Sequence, residues 1–137
     1  HIVPRRSLKD RAAALMETVG LEPGLMSRYP REFSGGQRQR ICIARALAAE
    51  PKFVILDEPI SSLDLTIQAR LLDLFISLKH ELNLTYIFIS HNLAVIRHIA
   101  DNVLVMHEGA VVETGCAGEV FGAPRHEYTR ELIESAG

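Results

Sequence analysis

Apolar residues recur every three or four positions in several stretches of the chain, which is the spacing of one face of an α-helix. Helices are predicted for residues 7–19, 38–49, 67–82, 93–100, 119–121 and 127–135. Ser7 is placed to cap the first helix and Gly20 to end it, because serine accepts hydrogen bonds from free helix N–H groups and glycine adopts positive φ. One more helical turn is predicted at residues 25–29, before Pro30.

The same spacing predicts which faces of the two long central helices are buried. Helix 38–49, which Pro51 forces to end, is expected to bury Ile41, Ala44, Leu47 and Ala48. Helix 67–82 is expected to bury Ile67, Leu71, Leu74, Phe75, Leu78 and Leu82. Both helices therefore have one apolar face for packing against a core.

Continuous apolar runs mark the predicted strands. Residues 53–56 and 86–89 are too short for helices and are followed by polar residues, so we expect fully buried parallel strands. A third run at residues 103–106, a Glu-Gly turn and apolar residues 111–112 predict a C-terminal β-hairpin. Strands that alternate with helices predict an α/β fold, with a parallel sheet, flanking helices and right-handed crossovers.

Length and composition narrow the class of protein. The chain has 137 residues, 47% hydrophobic and 23% charged, which suits a globular domain with an ordinary soluble surface. The formal net charge of -2 gives no electrostatic reason to expect a nucleic-acid partner. No apolar run approaches the ~20 residues that cross a bilayer, so a link to a membrane is expected to run through a partner. Cys42 and Cys116 have no metal-ligand spacing and are expected to be reduced thiols.

A small-residue loop, residues 34–37 (Ser-Gly-Gly-Gln), opens the helix at residues 38–49. Glycines let a ligand approach the backbone closely, and the N–H groups and dipole at a helix start favour an anion. The alternative interpretation is an ordinary serine-capped helix start. The loop alone does not decide between them.

Polar side chains follow both predicted parallel strands. Asp57 and Glu58 end the first strand, and neighbouring strand residues point to opposite faces, so the two carboxylates should do different jobs. One suits a Mg²⁺ ion, which takes one or two carboxylates plus waters and phosphate oxygens. The other could activate a water molecule, unless both are simply solvated acids. His91 follows the second strand and could contact a phosphate or that water, although a lone histidine is commonly structural.

Taken in order, these segments resemble the motifs of ATP-binding cassette (ABC) proteins over nearly the whole chain. Residues 33–40 (Phe-Ser-Gly-Gly-Gln-Arg-Gln-Arg) closely resemble the signature motif, and residues 53–59 resemble the Walker B segment. Residues 61–64 (Ser-Ser-Leu-Asp) resemble the D-loop, and residues 89–91 resemble the segment of the switch histidine. The resemblance implies a P-loop NTPase-like fold with a helical signature subdomain.

The resemblance also implies a role for each motif residue, with ATP and Mg²⁺ as cofactors. Asp57 would help to hold Mg²⁺, mainly through water, and Glu58 would be the catalytic carboxylate. His91 would contact the γ-phosphate region, and Asp64 would lie at the seam of a dimer. The residues that would close over ATP held by the opposite subunit are Ser34, Gly35, Gly36 and Gln37.

A finer resemblance points to the peptide- and nickel-importer branch of the family. It rests on Tyr29 and Pro30 before the signature loop and on the tail at residues 124–129. Glu127 stands where that tail usually has proline, Phe33 where leucine is commoner, and Ser62 where alanine often occurs. The resemblance implies a second ATPase subunit, in a homo- or heterodimer. It also implies integral-membrane permease subunits and a solute-binding protein as partners, with no nucleic acid. It implies a location on the cytoplasmic face of the cell membrane.

The phosphate-binding pattern G-x-x-x-x-G-K-[ST], called Walker A, does not occur in the sequence. We therefore expect a partial ATPase domain that is inactive alone, divided into a helical subdomain (1–50), the second half of the ATPase core (51–115) and a helical tail (116–137). Two alternatives stay open. One is a noncatalytic interaction module, which the missing pattern favours. The other is a DNA-repair or chromosome-type ABC ATPase, against which the dipeptide Glu58-Pro59 and the importer-like tail both argue.

Overall fold

The protein is described here by a computed structural model, which covers residues 5–135 and the side chains from Ser7 onward. The α-helices of this range are α1 (Arg5–Thr18), α2 (Gly35–Leu47), α3 (Leu65–Glu81), α4 (Leu93–Ile99), α5 (Ala117–Gly122) and α6 (Glu127–Ser135). The strands are β1 (Phe53–Asp57), β2 (Thr85–Ile89), β3 (Asn102–His107) and β4 (Ala110–Cys116). These elements form two compact units that divide after Ile87.

In the first unit, α1 ends as predicted and begins earlier than predicted. Gly20 has φ 70°, and its N–H donates to the Glu17 carbonyl at 2.8 Å. The Leu21 N–H donates to the Met16 carbonyl at 2.8 Å, which completes a Schellman ending. The prediction that Ser7 caps this helix is wrong, because α1 already begins at Arg5 and Ser7 lies inside it.

Between α1 and α2, the predicted helical turn at residues 25–29 is replaced by two short 3₁₀ turns, Pro23–Ser27 and Pro30–Glu32. The prolines at residues 23 and 30 each open one of them, since proline suits the first position of a helical turn and cannot continue a helix from before it. Arg40 ties α2 to the end of α1, with Nη1 donating to the Val19 carbonyl at 2.6 Å.

The buried faces of α2 and α3 agree only in part with the predicted faces. On α2, Ala44 and Leu47 are buried as expected, but Ile43 is buried while Ile41 is half-buried and Ala48 is exposed. The face is therefore rotated from the predicted one. On α3, the fully buried positions are Leu71, Phe75 and Leu78, joined by Leu72. Leu82 is 45% exposed because α3 ends at Glu81, one residue before it.

Strands β1 and β2 lie side by side as a parallel pair, connected by α3. One face packs onto the unit's own core, where the rings of Phe75 and Tyr86 meet edge to face at 6.0 Å. On the other face, Phe53 is 49% and Ile55 is 60% exposed. Ile87 of β2 is likewise 47% exposed, so the prediction of fully buried strands is wrong for both, because the described residues cover only one face of each.

In the second unit, β3 and β4 form the predicted antiparallel hairpin. His107 pairs with Ala110 across a two-residue turn in which Glu108 has φ 49° and Gly109 has φ 80°. Positive φ at both turn positions is typical of a type I′ turn, which matches the twist of the strands. The pairing shifts between Val105 and Met106, where β4 accommodates one extra residue.

The turn allows a first prediction about stability. Replacing Glu108 by asparagine should raise the free energy of unfolding by roughly 0.5–1 kcal/mol, because asparagine tolerates the left-handed conformation that costs most residues ~1–2 kcal/mol. Denaturant unfolding of the chain measures the effect. Glu108→Gln is the control, since it removes the same charge without gaining that tolerance. An equal gain from both variants would assign the effect to charge and not to φ.

One carboxylate of the hairpin helps to attach the C-terminal segment, which also contacts the hairpin where Tyr128 stacks on His107 with ring centroids 3.8 Å apart. Glu113, on β4, accepts hydrogen bonds from the backbone N–H groups of Arg125 at 2.8 Å and His126 at 3.0 Å. Hydrogen bonding from the buried Thr129 hydroxyl and from these two amides lowers the pKa of Glu113 to about 2. The amide contacts have the better geometry, because Thr129 Oγ1 has no partner within strict hydrogen-bond limits.

This attachment should depend on pH. Because the pKa of Glu113 falls from its usual 4.5 to about 2, its hydrogen bonds to the two amides stabilise the attachment above pH 4.5, and that contribution is lost as the pH falls through 2. Amide chemical shifts of Arg125 and His126 in an acid titration report it, with an expected midpoint near the lower value. Glu113→Gln should remove the transition. A midpoint near 4.5 would show that the carboxylate is not held in this way.

Candidate functional site

The loop at residues 34–37 forms a reciprocal cap at the start of α2. Ser34 is the N-cap, and its Oγ accepts from the Gln37 N–H at 3.3 Å. In return, Gln37 Oε1 accepts from the Ser34 N–H at 3.0 Å. Such a capping box holds the loop in one conformation before any ligand binds.

The two glycines of this loop lie against the segment that precedes and opens α3. A Cβ atom added to Gly36 would lie 2.8 Å from Ile67 Cγ2, and one added to Gly35 would lie 3.1 Å from Leu63 Cδ2. Glycine is therefore required at residue 36 by a close approach within the chain itself. The sequence could not reveal this reason, because it predicted only that a ligand approaches the glycines.

The start of α2 can still serve an anion. The first N–H groups of a helix have no intrahelical acceptor, and the helix dipole adds partial positive charge there. Ser34 is exposed, and Arg38 Nη1 donates to the Phe33 carbonyl at 2.7 Å, which fixes the chain just before the cap. The loop is thus preorganised and is exposed at Ser34, which suits contact with a phosphate group.

The two acids after β1 have different surroundings, for a reason other than the predicted one. Asp57 is the last residue of β1 and is exposed, whereas Glu58 is half-buried. Glu58 has φ 44°, so the strand alternation that predicted opposite faces ends before it. The following residues anchor the turn, since Pro59 is buried and Ile60 is only 3% exposed.

Asp64, predicted at a dimer seam, also has a local structural task. It is the N-cap of α3, and its Oδ1 accepts from the Ile67 N–H at 3.0 Å. Gln68 Nε2 donates to the Leu63 carbonyl at 2.9 Å and so supports the same turn. Asp64 and the signature loop lie in one region of the first unit, because Leu63 and Ile67 on either side of Asp64 contact the glycines of the loop.

His91 belongs to the second unit and lies exposed between β2 and α4. Its neighbours hold the backbone, since Ser90 Oγ accepts from the Asn92 N–H at 3.1 Å. Asn92 caps α4, with Oδ1 accepting from the N–H groups of Ala94 at 3.1 Å and Val95 at 3.4 Å. Sequence reasoning singled out His91 alone and missed Ser90 and Asn92. An Asn directly before a helical stretch was the available signal.

The acids are suited to a cation that keeps most of its own ligands. Among the described residues, no group of three or more His, Cys, Asp or Glu side chains forms a ready metal cage. Asp57 is exposed at the carboxyl end of β1, with Glu58 next to it. This donor set fits Mg²⁺ bound through waters and phosphate oxygens, as such ions usually are beside a nucleotide.

Comparison with known proteins shows which proteins the chain resembles. A sequence profile described as ABC transporter matches residues 3–61. The chain is 53% identical over 131 residues to the oligopeptide transport ATP-binding protein OppF of Salmonella typhimurium, covering 96% of this chain and 39% of that protein. The chain therefore resembles ATP-binding proteins of ABC transporters. The resemblance found from the motifs is confirmed.

Other relatives agree with this resemblance. OppD of Mycobacterium tuberculosis, another oligopeptide transport ATP-binding protein, is 55% identical over 123 residues, which are 90% of this chain and 20% of OppD. A solved structure of cbiO1 from Clostridium perfringens, part of the ABC transporter complex cbiONQ, matches with a TM-score of 0.80 and 31% identity. That match covers 98% of this chain and 51% of cbiO1, and it confirms the predicted fold class.

The ABC transporter relatives are longer than the chain, which spans between a fifth and two fifths of the length of OppD and OppF. No helix among residues 5–135 is both long enough and apolar enough to cross a membrane. The three-part division at residues 50 and 115 stays a prediction, as do the residue roles. The signature loop and Asp64 lie together in the first unit, with Asp57 and Glu58 at the end of β1 in that unit.

Proposed function

We propose that the chain is the C-terminal ATPase portion of a subunit that powers the import of peptides. The observation that carries the proposal is the identity of 53% over 131 residues to an oligopeptide transport ATP-binding protein. Similarity to a di/tripeptide transport protein and to a glutathione import protein, each at 48% identity, supports peptides as the substrate class. Nickel, the other substrate of this branch, stays an alternative.

In this proposal the signature loop acts on a nucleotide held by another subunit. Ser34, Gly35, Gly36 and Gln37 form a preorganised helix start with Ser34 exposed at its end, which suits the γ-phosphate of an ATP bound across a dimer seam. Asp64 caps α3 next to this loop and would meet the partner at the same seam. The site would then be completed only when two subunits close.

The acids and the histidine would act on the other nucleotide. Asp57 would hold Mg²⁺ mainly through water, and the ion would neutralise charge on the phosphates. Glu58 would orient and deprotonate the attacking water, and His91 would contact the γ-phosphate region. The half-buried carboxylate of Glu58 and the exposed carboxylate of Asp57 support this division of tasks. Phosphoryl transfer depends mainly on positioning the nucleotide and stabilising charge on its phosphates. Because these residues make few such contacts, most of the binding of that nucleotide would come from other residues.

The partners in this proposal are a second ATPase subunit, integral-membrane permease subunits and a solute-binding protein. The complex would place this chain on the cytoplasmic face of the cell membrane. The description of the neighbour cbiO1 as part of a multi-subunit transporter complex supports such an assembly. Uptake of labelled peptides by cells that lack the complete subunit, with and without its restoration, tests the substrate class. Unchanged peptide uptake together with lost nickel uptake would favour the nickel alternative.

The second candidate function is that of a noncatalytic module that binds a partner protein, and one observation favours it. The 137 residues do not contain the G-x-x-x-x-G-K-[ST] pattern. We propose that these residues alone neither bind ATP tightly nor hydrolyse it repeatedly. Titration of the chain with a fluorescent ATP analogue tests this, and micromolar binding would contradict it.

A further inference from the structure

The turn that follows β1 holds Glu58 in a conformation that few residues adopt unaided. Its φ of 44° lies in the left-handed region, which disfavours residues that carry a Cβ atom. The residue at this position is a glutamate, whereas glycine and asparagine are the residues that tolerate this region best. Backbone strain of this kind persists only where surrounding contacts impose it, and it clusters at functional sites.

Burial of Ile60 and a hydrogen bond from Ser61 both support the conformation. Ile60, two residues later, is only 3% exposed and anchors the turn in the core of the first unit. Ser61 Oγ donates a hydrogen bond to the Glu58 carbonyl at 3.2 Å. The orientation of that carbonyl is set by ψ of Glu58, the rotation about its Cα–C bond. The Ser61 hydroxyl therefore restrains ψ, and with it the direction of the Glu58 side chain relative to the residues that follow.

We propose that Ser61 is a positioning residue, which orients the catalytic carboxylate through the backbone of Glu58 and does not itself touch the nucleotide. The proposal rests on the proposed function, in which Glu58 acts on the attacking water. It adds a specific task for the first residue of the D-loop-like segment, residues 61–64.

The segment around Ser61 also contacts the signature loop. Leu63 lies against Gly35, and Ile67, whose N–H is bound by Asp64, lies against Gly36. Ser61 therefore provides a hydrogen bond between this packed region and Glu58. A shift of the segment during closure of a dimer would alter the Ser61 contact and, through it, the direction of the carboxylate.

The test compares three variants of the complete subunit. Ser61→Ala should lower kcat for ATP hydrolysis by about three- to tenfold, the effect of losing one modest hydrogen bond, and leave KM little changed. Ser61→Thr keeps the hydroxyl and should keep kcat close to that of the unaltered subunit. Ser62→Ala is the matched control, because Ser62 is an exposed neighbour to which no task is assigned.

A second readout does not depend on turnover. In the complete subunit, the Cα chemical shift of Glu58 reports its left-handed backbone and should move in Ser61→Ala but not in Ser62→Ala. If the shift and kcat are the same in both alanine variants, Ser61 does not position Glu58. A rise in KM with unchanged kcat in Ser61→Ala would also overturn the proposal, because it would mean that Ser61 contributes to nucleotide binding.

Failure of the proposed function gives a different result. If Glu58→Gln leaves hydrolysis unchanged, Glu58 is not the catalytic carboxylate and the proposed function falls. If Glu58→Gln abolishes hydrolysis while Ser61→Ala behaves like Ser62→Ala, only the positioning role of Ser61 is wrong.

Discussion

Glu58→Gln in the complete subunit should lower kcat for ATP hydrolysis by about 10²–10³-fold, within the range expected for removing a general base. Glutamine has nearly the same shape as glutamate, so the left-handed turn and its Ile60 anchor should be preserved. The amide cannot take a proton from the attacking water. ATP should therefore still bind, and the nucleotide-bound dimer should accumulate. Steady-state hydrolysis and size-exclusion chromatography with ATP measure the two effects.

A glutamate with a similar backbone serves as the control for that variant. Glu108 also has positive φ, at 49°, and lies exposed in the turn of the β3–β4 hairpin. Glu108→Gln makes the same chemical change at a similar conformation without touching the candidate site. It should leave hydrolysis unaltered. Turnover by Glu58→Gln at the rate of this control would remove Glu58 from the catalytic role.

Gly36→Ala should have the second largest effect, because it adds a methyl group where the chain has no room. The new Cβ would lie 2.8 Å from Ile67 Cγ2, a branched methyl group held on the first turns of α3. Either the start of α2 or the start of α3 must move. Overpacking of this kind costs about 1–3 kcal/mol of stability. Because the shift falls on the signature loop, hydrolysis by the complete subunit should be largely lost as well.

Two companion variants identify the cause. Gly24→Ala, where no atom lies within 4 Å of the added Cβ, should be close to neutral in denaturant unfolding. Ile67→Ala removes the clashing methyl group, so the double variant with Gly36→Ala should be more stable than the two separate losses predict. Full additivity would show that the Ile67 contact does not explain the glycine. Recovered stability without recovered hydrolysis would mean that residue 36 also needs its bare backbone for the nucleotide.

The order of helices and strands was predictable because periodicity depends on neighbouring residues alone. The burial of β1 was not. The apolar run at residues 53–56 indicates that both faces of the strand require cover, but it does not say whether this chain supplies both covers. The 60% exposure of Ile55 shows that the described residues supply one. The motifs raise the same question as the strand. They show which family the chain resembles, but they do not show that the chain contains every part of that family's active site.

The residue types of the candidate site could be predicted from the sequence. The backbone conformations and contacts of those residues could be predicted only in part. Glu58 was treated as a strand residue because the apolar run continues up to it. Its left-handed φ follows from tertiary anchoring by Ile60, which no local signal reveals. Gly36 was interpreted as a ligand contact, whereas its immediate neighbour is Ile67. In each case the missing information was a contact with another part of the fold.

The central claim is that the signature loop and the carboxylates of one chain serve two different nucleotides. Mixing two inactive forms of the complete subunit tests it most directly: one carries Glu58→Gln, and the other carries Ser34→Arg at the exposed end of the signature loop. In a mixed dimer, one site combines both defects and the other site has neither. We predict that the mixture hydrolyses ATP well above the rate of either variant alone. A mixture as inactive as its components, under conditions where mixed dimers form, would contradict the account.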